Sequence, residues 1–447
     1  MTHPTMAVSS IRSSAKHPKN KPVAHARLIA SPPPSLGVRV QPLSCLLLLA
    51  LLAGCSSPAA DTHTTTSPTP AAPPPQASDI KGMQPIASVR NSTLGEWVEN
   101  GLAYLSSGSD GLRIVDVRNP AEPVVLAKDI PDSSSRDVDL IHHPNGRTYA
   151  LLANSTEGNT KLFDVTDPGN VTFVVKTSTC DHTVAVVPGT TVVYGSWSLC
   201  QASHPQQVEQ GDVEILDFAD PAHPVSRIFA FPPVAMTAGG PKAITATSCH
   251  EMTFNAALHR AYCAAISDTQ VWDDTDPLNP RIVAVIDDPL VNIHHSVWDA
   301  DNGTTLIIGD EFTGVLAPTP MCSDKVQYPT SALAFYDIKD LAKPTRVGYY
   351  NIPYDAVQAS ADSGGIQYCS THLGDVIDGT DLIVMGWYSA GTVMVDFSDP
   401  AHAKTVATWR AAGPSSVWET RYMDGHVYSS DEVRGLDILK VAGLPGT

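Results

Sequence analysis

The longest strongly apolar run in the 447 residues is Cys45–Ala53. A membrane-spanning helix needs about 20 such residues, so a polytopic helical membrane protein is excluded. Basic residues are scarce, 28 against 46 acidic, for a formal net charge of −18. All of Arg12, Lys16, Lys19, Lys21, Arg27 and Arg39 precede residue 55 and no acidic residue does, which leaves 22 basic against 46 acidic, or −24, in the remainder. A surface that negative repels phosphate backbones, so nucleic acid is not an expected partner. The chain has no Cys-x-x-Cys pair, no phosphate-cradling glycine loop, no His-Glu-x-x-His and no Gly-x-Ser-x-Gly, so the usual signatures of a structural zinc site, a nucleotide site, a zinc protease and a serine hydrolase are missing. Aromatic residues are only 6%. What is present is 43% hydrophobic residues, enough for a packed core, and 37 prolines.

The one apolar run reads SCLLLLALLAGCSS from Ser44 to Ser57, with Arg39 before it and the small residues Ala53 and Gly54 after it. A basic residue, a short apolar stretch and a small-residue cleavage site make a secretory signal. Its end, Leu52-Ala53-Gly54-Cys55, resembles a bacterial lipobox. That resemblance implies cleavage before Cys55 and acylation of that cysteine, hence a lipid-anchored protein on the periplasmic or extracellular side of a bacterial cell envelope. Residues 1–54 are therefore expected to be a signal region. Its first 37 residues exceed an ordinary leader, so translation is expected to start further in, near Val38, with the signal peptide at about 38–54. Residues 55–80 are the acylated cysteine followed by Ser, Pro, Ala and Thr in near-continuous series, a composition that buries no core and reads as a disordered tether.

From residue 81 to 447 the dominant signal is self-similarity. Two or three apolar residues, an Asp, an apolar residue and a turn recur as LRIVDVRNP, KLFDVTDP, EILDFADP, QVWDDTDP, AFYDIKDL and VMVDFSDP, with a degenerate seventh copy, LDILK, at Leu436–Lys440. The aligned acids are Asp116, Asp164, Asp217, Asp273, Asp337 and Asp396. Each copy is preceded by two strand-like segments joined by a turn such as Pro188-Gly189 or Asn302-Gly303, and is followed by a fourth apolar strand such as PVSRIFAF. Four short strands per unit predict propeller blades. The last unit stops after its third strand, while MQPIASV at Met83–Val89 precedes the first unit as a strand without a blade. Pairing the two predicts an all-β, seven-bladed propeller of four-stranded blades, closed by the N-terminal strand, with both edges removed. The repeat resembles the LVIVD repeat of exported bacterial proteins, a resemblance that implies the fold more than any chemistry.

Long, irregular insertions at Ser196–Asp212, Pro232–Ser248, Asp310–Ser331 and Pro353–Thr371 fall on one face, here called the upper face; the short Asp-Pro turns fall on the lower. Long loops on a rigid scaffold are where binding usually resides. The residue opening strand one is His182, His250, His295 and His372 in four consecutive units, with Asp137 and Glu419 assigned to the same place in the second and seventh. A ring closure predicts these six around the channel mouth, with His294 and Glu251 beside them as supporting groups. Three readings stand side by side: a hydrogen-bond network tying loops to strands, a transition-metal site for zinc, copper or iron, metals that suit imidazole, or a metal-free ligand pocket. Trp197, Asp310, Glu311, Phe312, Trp387, Tyr388 and Trp418 are expected on the upper face as a ligand-binding surface, although Trp418 also fits a plug of the hub. Removing Cys45 and Cys55 leaves six cysteines, for which Cys180–Cys200, Cys249–Cys263 and Cys322–Cys369 are the simplest of the 15 connectivities. The expected function is non-catalytic binding of a small molecule or protein partner by a membrane-anchored propeller. The alternatives are a metal-dependent oxidoreductase or hydrolase built on the histidines, and a structural envelope scaffold.

Overall fold

A computed structural model describes residues 82–443 apart from 109, 155–157, 179, 197–212, 231–247, 312–330 and 353–368. The residues expected to form the signal region, the acylated Cys55 and the tether, together with Trp197, Cys200, Phe312 and Cys322, lie outside the described residues. The described chain is a seven-bladed β-propeller. Its innermost strands are Glu96–Glu99, Asp137–His142, Val184–Val186, Glu251–Asn255, His294–Ala300, Gly374–Val376 and Val417–Met423, in blades one to seven. Each is followed outward by three antiparallel neighbours. In blade seven the outermost strand is Met83–Arg90, paired with Gly435–Val441, so the first strand of the ring closes its last blade.

The second and third strands of each blade are covered on both faces by adjacent blades. They therefore read as unbroken apolar runs instead of alternating ones; Leu382–Gly386, LIVMG, is buried throughout. The outermost strands are wetted, as in Val225–Phe229. The core is divided into seven apolar clusters, each shared by two adjacent blades, including one between blades seven and one that joins Val89, Tyr428 and Ile438 to Ala103, Leu105 and Val115. An open spiral of seven blades would have six such contacts; the seventh makes it a ring.

The repeated Asp is accounted for by turn chemistry. In six blades its Oδ1 accepts the N–H two residues on, from Arg118, Thr166, Ala219, Thr275, Lys339 and Ser398, at 2.9–3.0 Å. This is the Asx turn that Asp forms more readily than most residues. In five blades the next acid, such as Asp220 or Asp399, repeats the bond one turn further on. His223 and His402, just beyond, face Asp220 and Asp399 at 3.0 and 2.8 Å and finish these exposed turns. Cys249 and Cys263 form a disulfide across the first hairpin of blade four, Cα atoms 5.3 Å apart. Cys180 and Cys369 are also disulfide-bonded; Cys200 and Cys322, expected to be their partners, are among the residues not described.

Candidate functional site

The four histidines come together from blades three to six. Their ring centroids are 4.7 Å apart for His182 and His250, 3.9 Å for His250 and His295, and 4.6 Å for His295 and His372; Trp418 of blade seven continues the arc 4.2 Å from His372. All four imidazoles are buried. Burial pushes His250 and His372 down to about 3 and holds His182 and His295 well below the ordinary range. The cluster is therefore neutral, as close-packed imidazoles must be.

Asp137 and Glu419 sit one residue deeper than the sequence alignment put them. The backbone N–H groups of His182, His250 and His372 each bond the carbonyl at the end of strand two, and in blade two the group making that bond is Arg136, to Ala153 at 2.9 Å. In blade seven the register shifts between Val417 and Glu419, as it does between His294 and Ser296 in blade five. Such bulges re-aim one side chain, here Trp418 and His295. The upper tier of the hub is thus Arg136, four histidines and Trp418, with the Arg136 guanidinium over the Trp418 ring at 5.2 Å. The tier below contains Asp137, Glu251 and Glu419.

The lower-tier carboxylates tie blades together. Asp137 accepts the N–H of Val184 at 2.8 Å and Asp139 that of Val186 at 2.7 Å; Asp375 accepts from Tyr422 at 2.9 Å and Glu419 from Glu96 at 2.8 Å. Each bond joins one inner strand to the next blade's. Below them a funnel of about 740 Å³ opens on the lower face, the face of the Asp-Pro turns, and every blade lines it. Its described lining has ten carboxylates and one basic residue, Arg421. Arg421 holds Glu419 at 2.8 Å and lies 5.0 Å over the Trp97 ring; burial would weaken its positive charge, but Glu419, Asp375, Glu96 and Asp139 reinforce it. One cation does not satisfy so many acids. Burial raises Asp139 and Glu419 to about 7, and raises Asp137, Glu251 and Asp375 as well.

Of the remaining residues expected at the upper face, Glu311 reaches the histidines: its Oε2 is 3.2 Å from His295 Nε2, and its Oε1 accepts from the Tyr388 hydroxyl at 2.5 Å. Burial lifts Glu311 to about 8. Trp387 is instead fully buried in the core between blades five and six, an apolar position and not a ligand platform. Asp310 is occupied by the N–H groups of Asn292, Ile293 and Ser331 and by the Asn292 amide, and so pins the blade-five loops. His294 points away from its neighbour's ring and bonds Thr269 of blade four at 2.8 Å, while Glu251 lies 3.8 Å from His250.

Comparison with known proteins supports the architecture alone. No protein-family model and no curated protein matches the chain. Among solved structures 1074 chains match; one is Raptor from Chaetomium thermophilum, at a TM-score of 0.54 and 9% identity, covering 81% of this chain and 30% of that one. The chain thus spans under a third of that protein, and at such identity the likeness is one of fold.

Proposed function

We propose that this chain is an exported, lipid-anchored binding protein of the bacterial envelope, with an LVIVD-type propeller that holds a small cationic ligand in its axial funnel without chemistry on it. The observation that carries the ligand class is the funnel's charge: ten carboxylates and one guanidinium in the described lining of a cavity of about 740 Å³, within the size range of small-molecule sites. A bound amine would let buried acids ionise that are otherwise held protonated by burial. Trp97, Phe254 and Trp298 also line this wall, and an aromatic face turned to a bound cation adds cation–π attraction. The lipobox-like Leu52–Cys55 supports the anchor.

The test is calorimetric titration of the full-length protein with spermidine, and with trehalose as a neutral contrast. Spermidine should bind more weakly as salt rises and at least tenfold more weakly to Asp139→Asn and Asp375→Asn, which keep an acceptor for the backbone bond and lose the charge. Trehalose binding with no response to spermidine would overturn the ligand class. The anchor is tested separately: Cys55→Ala should abolish palmitate labelling of the protein in a bacterial host.

A further inference from the structure

The funnel reading leaves the upper tier unused, and the strongest unassigned chemistry lies there. Donor atoms of His295, His372 and Glu311 all fall within 4.8 Å of one another, in the interior of the hub. We propose that these three residues bind a single divalent transition ion, of which zinc is the representative, at the upper end of the propeller axis. The inference does not rest on the funnel or on any ligand there.

Three features of the surroundings argue for a metal over a plain hydrogen bond between His295 and Glu311. The His372 Nδ1 lies 2.6 Å from the Trp418 carbonyl. A carbonyl only accepts, so Nδ1 carries the proton and Nε2 is left with its lone pair. A ligating histidine almost always has its other nitrogen so engaged. Glu311 is likewise held from outside: the Tyr388 hydroxyl takes one oxygen and leaves the other turned to His295. Finally, the buried Nδ1 atoms of His295 and His250 find no hydrogen-bond partner among the described residues. A buried polar atom without one is costly and asks for an occupant or a rearrangement. With the rings of His250 and His295 3.9 Å apart, His250 packs against the site without joining its three donors.

The donor set narrows the ion. Two imidazoles and a carboxylate suit zinc or ferrous iron, whereas calcium and magnesium want oxygen throughout. Soft copper(I) wants thiolate, and every described cysteine is in a disulfide. Two neutral imidazoles and one carboxylate would leave one unit of positive charge on a bound dication. Arg136, whose charge reaches Glu311, opposes it.

The experiment is zinc titration of full-length protein made without a histidine tag and stripped with a chelator, read by calorimetry, elemental analysis and melting temperature. One zinc per chain should bind, with a rise of about 3 °C or more at a hundredfold excess over Kd. Glu311→Gln and His295→Gln should each weaken binding at least a hundredfold, and Tyr388→Phe by about 10-fold to 100-fold, the usual cost of losing an outer partner. His223→Gln with His402→Gln, both on exposed turns, should change nothing. Because a buried variant can fail to fold, cobalt(II) added to the wild type is the second measurement. Visible d–d bands saturating at one equivalent, displaced by zinc, would support the site. Substoichiometric zinc with no cobalt bands would overturn it, as would affinity that survives Glu311→Gln and falls in the exposed-histidine variant.

Discussion

Ring closure makes a quantitative prediction at one glycine. Gly435 opens the strand that receives Met83–Arg90 and pairs with Arg90. Its φ is +109°, a conformation L side chains rarely adopt, and a Cβ there would collide with the Val89 carbonyl and lie 2.6 Å from that of Asn91. Gly413 has a comparable φ of +85° with nothing near the equivalent point. Alanine at either position costs about 1–2 kcal/mol for the backbone conformation. At Gly435 the closing strand must also retreat, losing one or two ladder bonds at about 0.5–1.5 kcal/mol each. We therefore expect about 1–2 kcal/mol for Gly413→Ala and about 1.5–5 kcal/mol for Gly435→Ala. For a domain of roughly 360 residues between Met83 and Val441, about 2.1 cal/mol/K of unfolding entropy per residue makes each kcal/mol worth about 1.3 °C. Scanning calorimetry should place Gly413→Ala about 1–3 °C and Gly435→Ala about 2–7 °C below the wild type, and limited proteolysis should release the first strand faster in Gly435→Ala alone. Equal shifts for the two, with the first strand equally protected, would mean that Met83–Arg90 does not bear on closure and that the ring argument is wrong.

Two further predictions concern the hub and the cysteines. Asp139 titrates near 7 in the fold because of burial, against an ordinary value of about 3.9. Between those values the folded state holds a proton that the unfolded state has lost, so this group's contribution to stability falls as pH rises through the window. Asp139→Asn should thus gain on the wild type in denaturant midpoint from pH 4 to pH 7.5; a constant difference across that range would refute the buried-acid assignment. Replacing Cys249 and Cys263 by serine opens a loop of 14 residues and should cost about 3 kcal/mol on the loop-entropy account, seen as a fall in denaturant midpoint, with no effect expected if that pair is reduced in the native protein.

The fold was legible because its signals are local and repeated. Six Asx turns need six Asp at one place in the repeat, and strands covered on both faces need unbroken apolar runs. Counting strands then identified Met83–Val89 as the closing strand. The site was legible only to within one residue. His295 and Trp418 enter the hub through bulges, and a bulge leaves no mark in a strand already rich in buried residues. Aligning strand starts therefore matched Asp137 and Glu419 to the histidines, when Arg136 and Trp418 hold that level. Trp387 illustrates a second limit: an aromatic ending a strand reads as a surface platform or as core with equal ease, and only packing against Tyr350 separates the two. Glu311 could have been placed better. It follows Gly309 by two residues as Tyr388 follows Gly386, and both glycines face the opening of strand one.

That one-residue offset matters because it gives the two tiers opposite demands. Interleaved in one ring, the histidines and the funnel carboxylates would pair as imidazolium and carboxylate and neutralise each other; as built, Glu311 is the carboxylate placed among the histidines, 3.2 Å from His295. Separated, the imidazoles crowd one another at 3.9–4.7 Å and are kept neutral, while the acids below are left with Arg421 as their sole basic companion in the described funnel lining. The contact between tiers is Glu251 and His250 at 3.8 Å, longer than a hydrogen bond. A neutral, donor-rich level above an acidic level is an arrangement in which each is able to take a positive guest without the other's proton, and the zinc and spermidine titrations should accordingly be independent: saturating one site should leave affinity at the other within a few-fold.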